Sequence, residues 1–195
     1  MSIDSVFKLL LYPKEAYRSF SDTQFIVDAL QDIEFICKTK GIFERNHYHI
    51  GDKFFDYVTF LGCSPAFKTE PDQTGALDFL HIEMSESTEK ANFHYNSLGV
   101  QARCFQCKSK LNNVLDKVMA DKADLKKTQF SCAKCEVNSD ILNINWRNTA
   151  CFVNQFIAIH QVFPHEAIPN ESLLLLLQDV TNTPWHYSYA DLILT

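Results

Sequence analysis

The stretch that decides how this chain is read runs from Arg103 to Glu136. It opens with Arg103-Cys104-Phe105-Gln106-Cys107 and closes with Cys132-Ala133-Lys134-Cys135-Glu136. Each Cys-x-x-Cys turn puts two sulfurs on one side of the backbone. Two facing turns close a tetrahedron around Zn²⁺ at Zn–S distances of roughly 2.3 Å. Cys104, Cys107, Cys132 and Cys135 are therefore the expected metal ligands, and the expected cofactor is a structural Zn²⁺. A sphere closed by four thiolates leaves no position for water or substrate, so its expected task is to hold the chain together.

The competing reading of the same residues is two disulfides, or two separate reduced pairs. A disulfide within Cys-x-x-Cys is redox-active rather than structural, and one such pair would suggest a thioredoxin-like motif. Two pairs favour the metal on ligand count and spacing. Over about residues 99–145 the chain resembles the zinc-ribbon group of four-cysteine modules, which implies a knuckle-and-hairpin fold there. Between Cys107 and Cys132 stand 24 residues, more than the ~15–20 of the simplest pattern. Leu111, Leu115, Val118 and Met119 recur at helical spacing, so the excess reads as an inserted short helix. Zinc binding on the order of 10–16 kcal/mol suffices to fold a segment with few large apolar residues.

Outward from this module, 195 residues with 46% apolar content are enough for one main core. The expected architecture is α+β, a body of helices and antiparallel sheet built from residues 1–98 and 146–195, with the zinc ribbon, residues 99–145, inserted. Three cysteines stand outside the cluster, Cys37, Cys63 and Cys151. An odd remainder beside a thiolate site points to a reducing, cytoplasmic setting. The apolar run Leu9-Leu10-Leu11-Tyr12 is too short for a signal peptide or a membrane span.

Charge is unevenly spread. Residues 99–145 carry eight Lys/Arg and five Asp/Glu, whereas the remainder is strongly acidic within a formal net charge of −6. Arg103, Lys108, Lys110, Lys126, Lys127 and Lys134 are the candidate nucleic-acid contacts. Four thiolates and one Zn²⁺ leave the module with little net charge, which weakens that reading, because non-specific affinity depends on neutralising several phosphates at once.

Along the chain, Ser21-Asp22-Thr23-Gln24 has capping-box spacing. Ile26, Ala29, Leu30, Ile33, Ile36 and Cys37 then predict an amphipathic helix ending at Gly41, with Cys37 on its apolar face. Strand-like runs follow at 42–50, 54–61 and 77–84, the first two as a hairpin around Gly51-Asp52. Cys63, in Leu61-Gly62-Cys63-Ser64-Pro65, is a candidate nucleophile for which the sequence supplies neither base nor activating environment. Residues 85–98 read as a polar linker.

His81-Ile82-Glu83 with Cys104 and Cys107 resembles the His-x-Glu and Cys-x-x-Cys elements of zinc nucleobase deaminases, where the Glu moves protons beside a catalytic zinc. Arg103 stands where that family has proline, and residues 77–84 read as a strand rather than the start of a helix.

The stripe Trp146, Ala150, Val153, Phe156, Ile157 and His160 predicts a helix ending before Pro164. His160 and His165 do not have the spacing of a helical ligand pair. Asn170-Glu171-Ser172 reads as a helix N-cap rather than a glycosylation site. Leu173 to Leu177 predict a helix buried on all sides, either inside this domain or against a partner. Trp185, Tyr187 and Tyr189 predict a strand with one aromatic face.

No glycine-rich phosphate loop and no Gly-x-Ser-x-Gly elbow is present. The functional expectation is a zinc-stabilised binding or adaptor protein with a protein partner and no membrane association. The alternatives are a nucleic-acid-associated ribbon, or a deaminase-like zinc hydrolase using His81, Glu83, Cys104 and Cys107.

Overall fold

The computed structural model describes residues 7–38, 42–44, 46–61, 68–71, 78–120 and 128–194. In chain order the strands are β1 (Lys8–Pro13), β2 (Ile42–Glu44), β3 (His47–His49), β4 (Val58–Phe60), β5 (His81–Met84), β6 (Asn92–Tyr95), β7 (Gln129–Ser131), β8 (Asn138–Asp140), β9 (Ala150–Val153), β10 (Ile157–His160), β11 (Ala167–Pro169), β12 (Trp185–Ala190) and β13 (Leu192–Leu194). The helices are α1 (Gln24–Asp32), α2 (Phe54–Tyr57), α3 (Val114–Ala120) and α4 (Glu171–Thr181). Every pairing between these strands is antiparallel. The chain is α+β.

Leu9, Leu10 and Leu11 are all fully buried, because β1 lies inside a six-stranded sheet of order β12-β1-β10-β5-β3-β2. Strand neighbours that pair in register share a face. One face carries Leu9, Leu11, Ile82, Met84, Ile157, Ile159, Trp185 and Tyr189, packed with Ile26, Val27 and Leu30 of α1 and Leu173 and Leu177 of α4. The aromatic face expected of β12 is on this side. The opposite face carries Leu10, Ala158 and Ala190 and meets Cys151 and Val153 of β9.

Strand β9 belongs to a second sheet of order β13-β6-β9, which therefore covers the large sheet's other side. Its far face presents Phe152, with Phe93 of β6, to Trp146, Ile141, Val114, Val118, Cys104 and Cys132. Ring centroids of Phe93 and Phe152 are 4.6 Å apart, and those of Phe93 and Trp146 5.2 Å. The cysteine region rests on this aromatic group.

Several sequence expectations change here. The stripe from Trp146 to His160 is two strands, β9 and β10, not a helix. Both faces of each strand are covered, so the polar positions that would show a two-residue period are missing. Helix α1 stops at Asp32 instead of reaching Gly41, which lies outside the described residues. Glu34 takes a left-handed φ of 58° and turns the chain. Cys37 follows this turn and is half-buried, off the helix.

Gly51 sits against that turn, and a Cβ there would lie 2.1 Å from the Glu34 carbonyl oxygen. The hairpin is β2-β3 alone. Residues 54–57 form α2, and β4 pairs with β11. Strand β6 occupies part of the stretch expected to be a linker. The chain itself does not enclose helix α4 on all sides, since Leu173 and Leu177 are buried while Leu175 is 47% exposed. Its N-cap is Asn170, whose Oδ1 accepts from Leu173 N at 3.0 Å.

Candidate metal centre

Each cysteine turn is built the same way. In the first, Cys104 N donates to Ser109 O at 2.9 Å and Lys108 N returns to Cys104 O at 3.1 Å. In the second, Cys132 N donates to Val137 O at 2.9 Å and Glu136 N returns to Cys132 O at 2.8 Å. Lys108 and Glu136, the residues after each second cysteine, both adopt φ of 59°. That left-handed step folds each turn tightly enough to aim both of its sulfurs the same way.

The turns are held in place by their flanks. Arg103 forms bridges to Lys110 and to Asn145, while β7 and β8 bracket the second turn as a hairpin. Helix α3, the insertion expected from Leu111 to Met119, packs Val114 and Val118 beneath the cluster.

All four Sγ atoms lie within 4.8 Å of one another. Cys104 Sγ is 3.7 Å from Cys135 Sγ, and Cys107 Sγ is 3.6 Å from Cys132 Sγ. A tetrahedron with metal–sulfur bonds of about 2.3 Å requires sulfur separations of about 3.8 Å, so the spacing is that of a four-thiolate sphere. The close pairs run between the two turns, and the four cysteines are free thiols rather than disulfides.

The surroundings favour thiolates at some positions and oppose them at others. Ser109 Oγ lies 3.0 Å from Cys107 Sγ and 3.4 Å from Cys132 Sγ. Its hydrogen bond, with those of the Cys135 and Lys134 amides, outweighs burial and brings Cys132 down to about 6. Ser109 also lowers Cys107. At Cys135 the Val137 amide works downward, but burial and the neighbouring sulfurs push the thiol up to about 12. Four thiolates at this spacing need a cation among them.

The deaminase-like set does not assemble. His81 is grouped with His47 and His160, while Cys104 and Cys107 are grouped with Cys132 and Cys135. His81 is on a strand, as its sequence suggested, and Glu83 Oε2 accepts from His160 Nε2 at 2.7 Å. His160 is in β10, where it meets Glu83 rather than His165. Cys63, Lys126 and Lys127 lie outside the described residues. Cys151 is fully buried, and burial pushes its thiol up.

His47 belongs to no local motif, and no sequence spacing joins His160 to His81. The available signal was alternation, since His47-Tyr48-His49 and His81-Ile82-Glu83 each put polar groups on one face of a strand. No described helix is long and apolar enough to cross a membrane. No protein-family model matches the chain, and neither a curated protein nor a solved structure matches it.

Proposed function

We propose that this chain is a zinc-stabilised binding protein of adaptor type, acting in a reducing compartment such as the cytoplasm and recognising another protein. The observation that carries this reading is the convergence of Cys104, Cys107, Cys132 and Cys135 at separations suited to tetrahedral zinc. Such a sphere is closed, so the ion's contribution is to the shape of residues 99–145. An inserted module is supported by the mutual hydrogen bonds of Arg103 and Asn145, at 2.8 and 3.1 Å, which bring the two ends of the segment together.

A protein partner is favoured by what the module exposes. Phe105, inside the first turn, is 43% exposed, and Leu98, just before the module, is 74% exposed. Apolar and aromatic side chains held on a rigid turn suit a protein surface better than phosphate. The basic candidates are partly engaged within the chain, with Arg103 Nη1 donating to Lys108 O at 3.0 Å and Lys108 Nζ to Phe105 O at 2.7 Å. Nucleic-acid association is the weaker reading.

The test compares the zinc-loaded full chain with its Phe105→Asp variant by quantitative capture from native lysate, and titrates RNA and DNA binding against salt. Partners lost from the variant support the reading, and an unchanged set of captured proteins contradicts it. Tight nucleic-acid binding with a steep salt slope would favour the second reading. Cys107→Ser is expected to lose the metal and open residues 99–145 to protease.

A further inference from the structure

We propose that His47, His81 and His160 form a second metal centre, taking Zn²⁺ through three imidazole nitrogens and leaving a fourth position to water or a small anion. These residues come from three adjacent strands, β3, β5 and β10. His47 pairs with Glu83 and His49 with His81, while Ile82 pairs with Ile159. This register places His47, His81 and His160 on one face of the sheet. One nitrogen from each ring falls within 4.8 Å of the other two. The His81 and His160 rings are stacked at 4.2 Å between centroids, and His47 is 5.2 and 5.9 Å from them.

The outer nitrogens of two rings are already held as those of metal-bound histidines usually are, while the stacked planes of His81 and His160, 11° apart, must tilt toward each other for one ion to lie in both. The Phe79 carbonyl, which can only accept, lies 2.7 Å from His81 Nδ1, so Nδ1 carries the proton and Nε2 the lone pair. The Glu83 carboxylate holds His160 Nε2 in the same way, which leaves the lone pair on Nδ1. A carbonyl and a carboxylate on the outer nitrogens are the usual supports of metal-bound histidines, fixing tautomer and ring orientation. Bonds of about 2.0–2.1 Å require nitrogens about 3.3 Å apart, so the rings close by up to roughly 1.5 Å on binding.

The donor set selects the ion. Three imidazoles suit zinc and its first-row neighbours, not Mg²⁺ or Ca²⁺, which require oxygen. The Glu83 carboxylate is not within the ligand group, so the described residues supply three donors, the number found where zinc keeps an open position. Glu83 also lines a cavity of about 280 Å³ between the two sheets, together with Lys8, Ser85, Thr88, His94 and Asn154.

Titrating Co²⁺ into the metal-stripped full chain, followed by visible absorption, tests this. Two equivalents are expected, one bringing intense sulfur-to-cobalt charge transfer and the other only weak d–d bands. Azide should shift the second set alone. His47 is partly exposed, and His47→Ala should weaken the second site at least about 100-fold with the sulfur band intact. Glu83→Gln should weaken it roughly 10–100-fold.

Saturation at one equivalent with sulfur bands only, or a second equivalent kept by His47→Ala, would overturn the proposal. Bands that ignore azide would overturn the open position. Weak d–d bands without a sulfur band would remove the four-thiolate site and leave this one standing.

Discussion

Lys108 and Glu136 occupy the same place in their respective cysteine turns, share φ of 59°, and each donates its amide to the first cysteine of its turn. A side chain at left-handed φ costs roughly 1–2 kcal/mol, which glycine avoids at some entropic cost of its own. Glu136→Gly should therefore stabilise the zinc-loaded chain by about 0.5–1 kcal/mol, and Glu136→Val should destabilise it by more than that. Thermal unfolding of both variants checks the order. If both destabilise equally, the turn is not strained.

Ser109 acts on the sulfurs without being a ligand. Removing its hydroxyl in Ser109→Ala takes away the largest influence lowering Cys132 and Cys107. Higher thiol pKa values let protons compete better for the sulfurs, so zinc should be released at a higher pH than in the wild type. Affinity at neutral pH should fall roughly tenfold. Competition with a chromophoric chelator across pH measures both quantities.

Gly51 is irreplaceable for a reason of space. A Cβ would lie 2.1 Å from Glu34 O and 2.6 Å from Glu34 C, both backbone atoms of the turn that ends α1. Gly51→Ala should cost about 2 kcal/mol or more by forcing that turn to move. Chemical denaturation gives the value, and a loss below about 0.5 kcal/mol would refute the close approach.

These elements show how far the residues alone could be read. The four cysteines were legible because ligand chemistry is fixed by local spacing, and α3 was legible because its apolar stripe is one-sided. Strands β9 and β10 were hidden by their burial on both faces. Ala150, Cys151, Phe152 and Val153 are all buried, so no polar alternation marks the strand. The end of α1 depended on Gly51, far along the chain, receiving the Glu34 turn. The histidine group was invisible for a related reason, since strand register brings together residues from three distant segments.

Burial also makes stability depend on pH at His94. It is 5% exposed, and burial, helped by the Lys8 charge and opposed by Glu83, lowers it from the ordinary value of 6.5 to about 4. The unfolded chain thus binds the proton more readily between those values. The stabilising contribution is complete above about pH 6.5, is lost as pH falls toward 4, and changes no further below that. His94→Gln should flatten this part of the stability–pH profile relative to wild type. A profile of unchanged slope from pH 6.5 to 4 would contradict it.

Zinc-edge X-ray absorption on the full-length His47→Ala chain, loaded with one equivalent of Zn²⁺, tests the four-cysteine centre most directly. The expected first shell is four sulfurs at about 2.3 Å, with no lighter atom. Nitrogen or oxygen in that shell, or a chain that retains no zinc, would contradict the account.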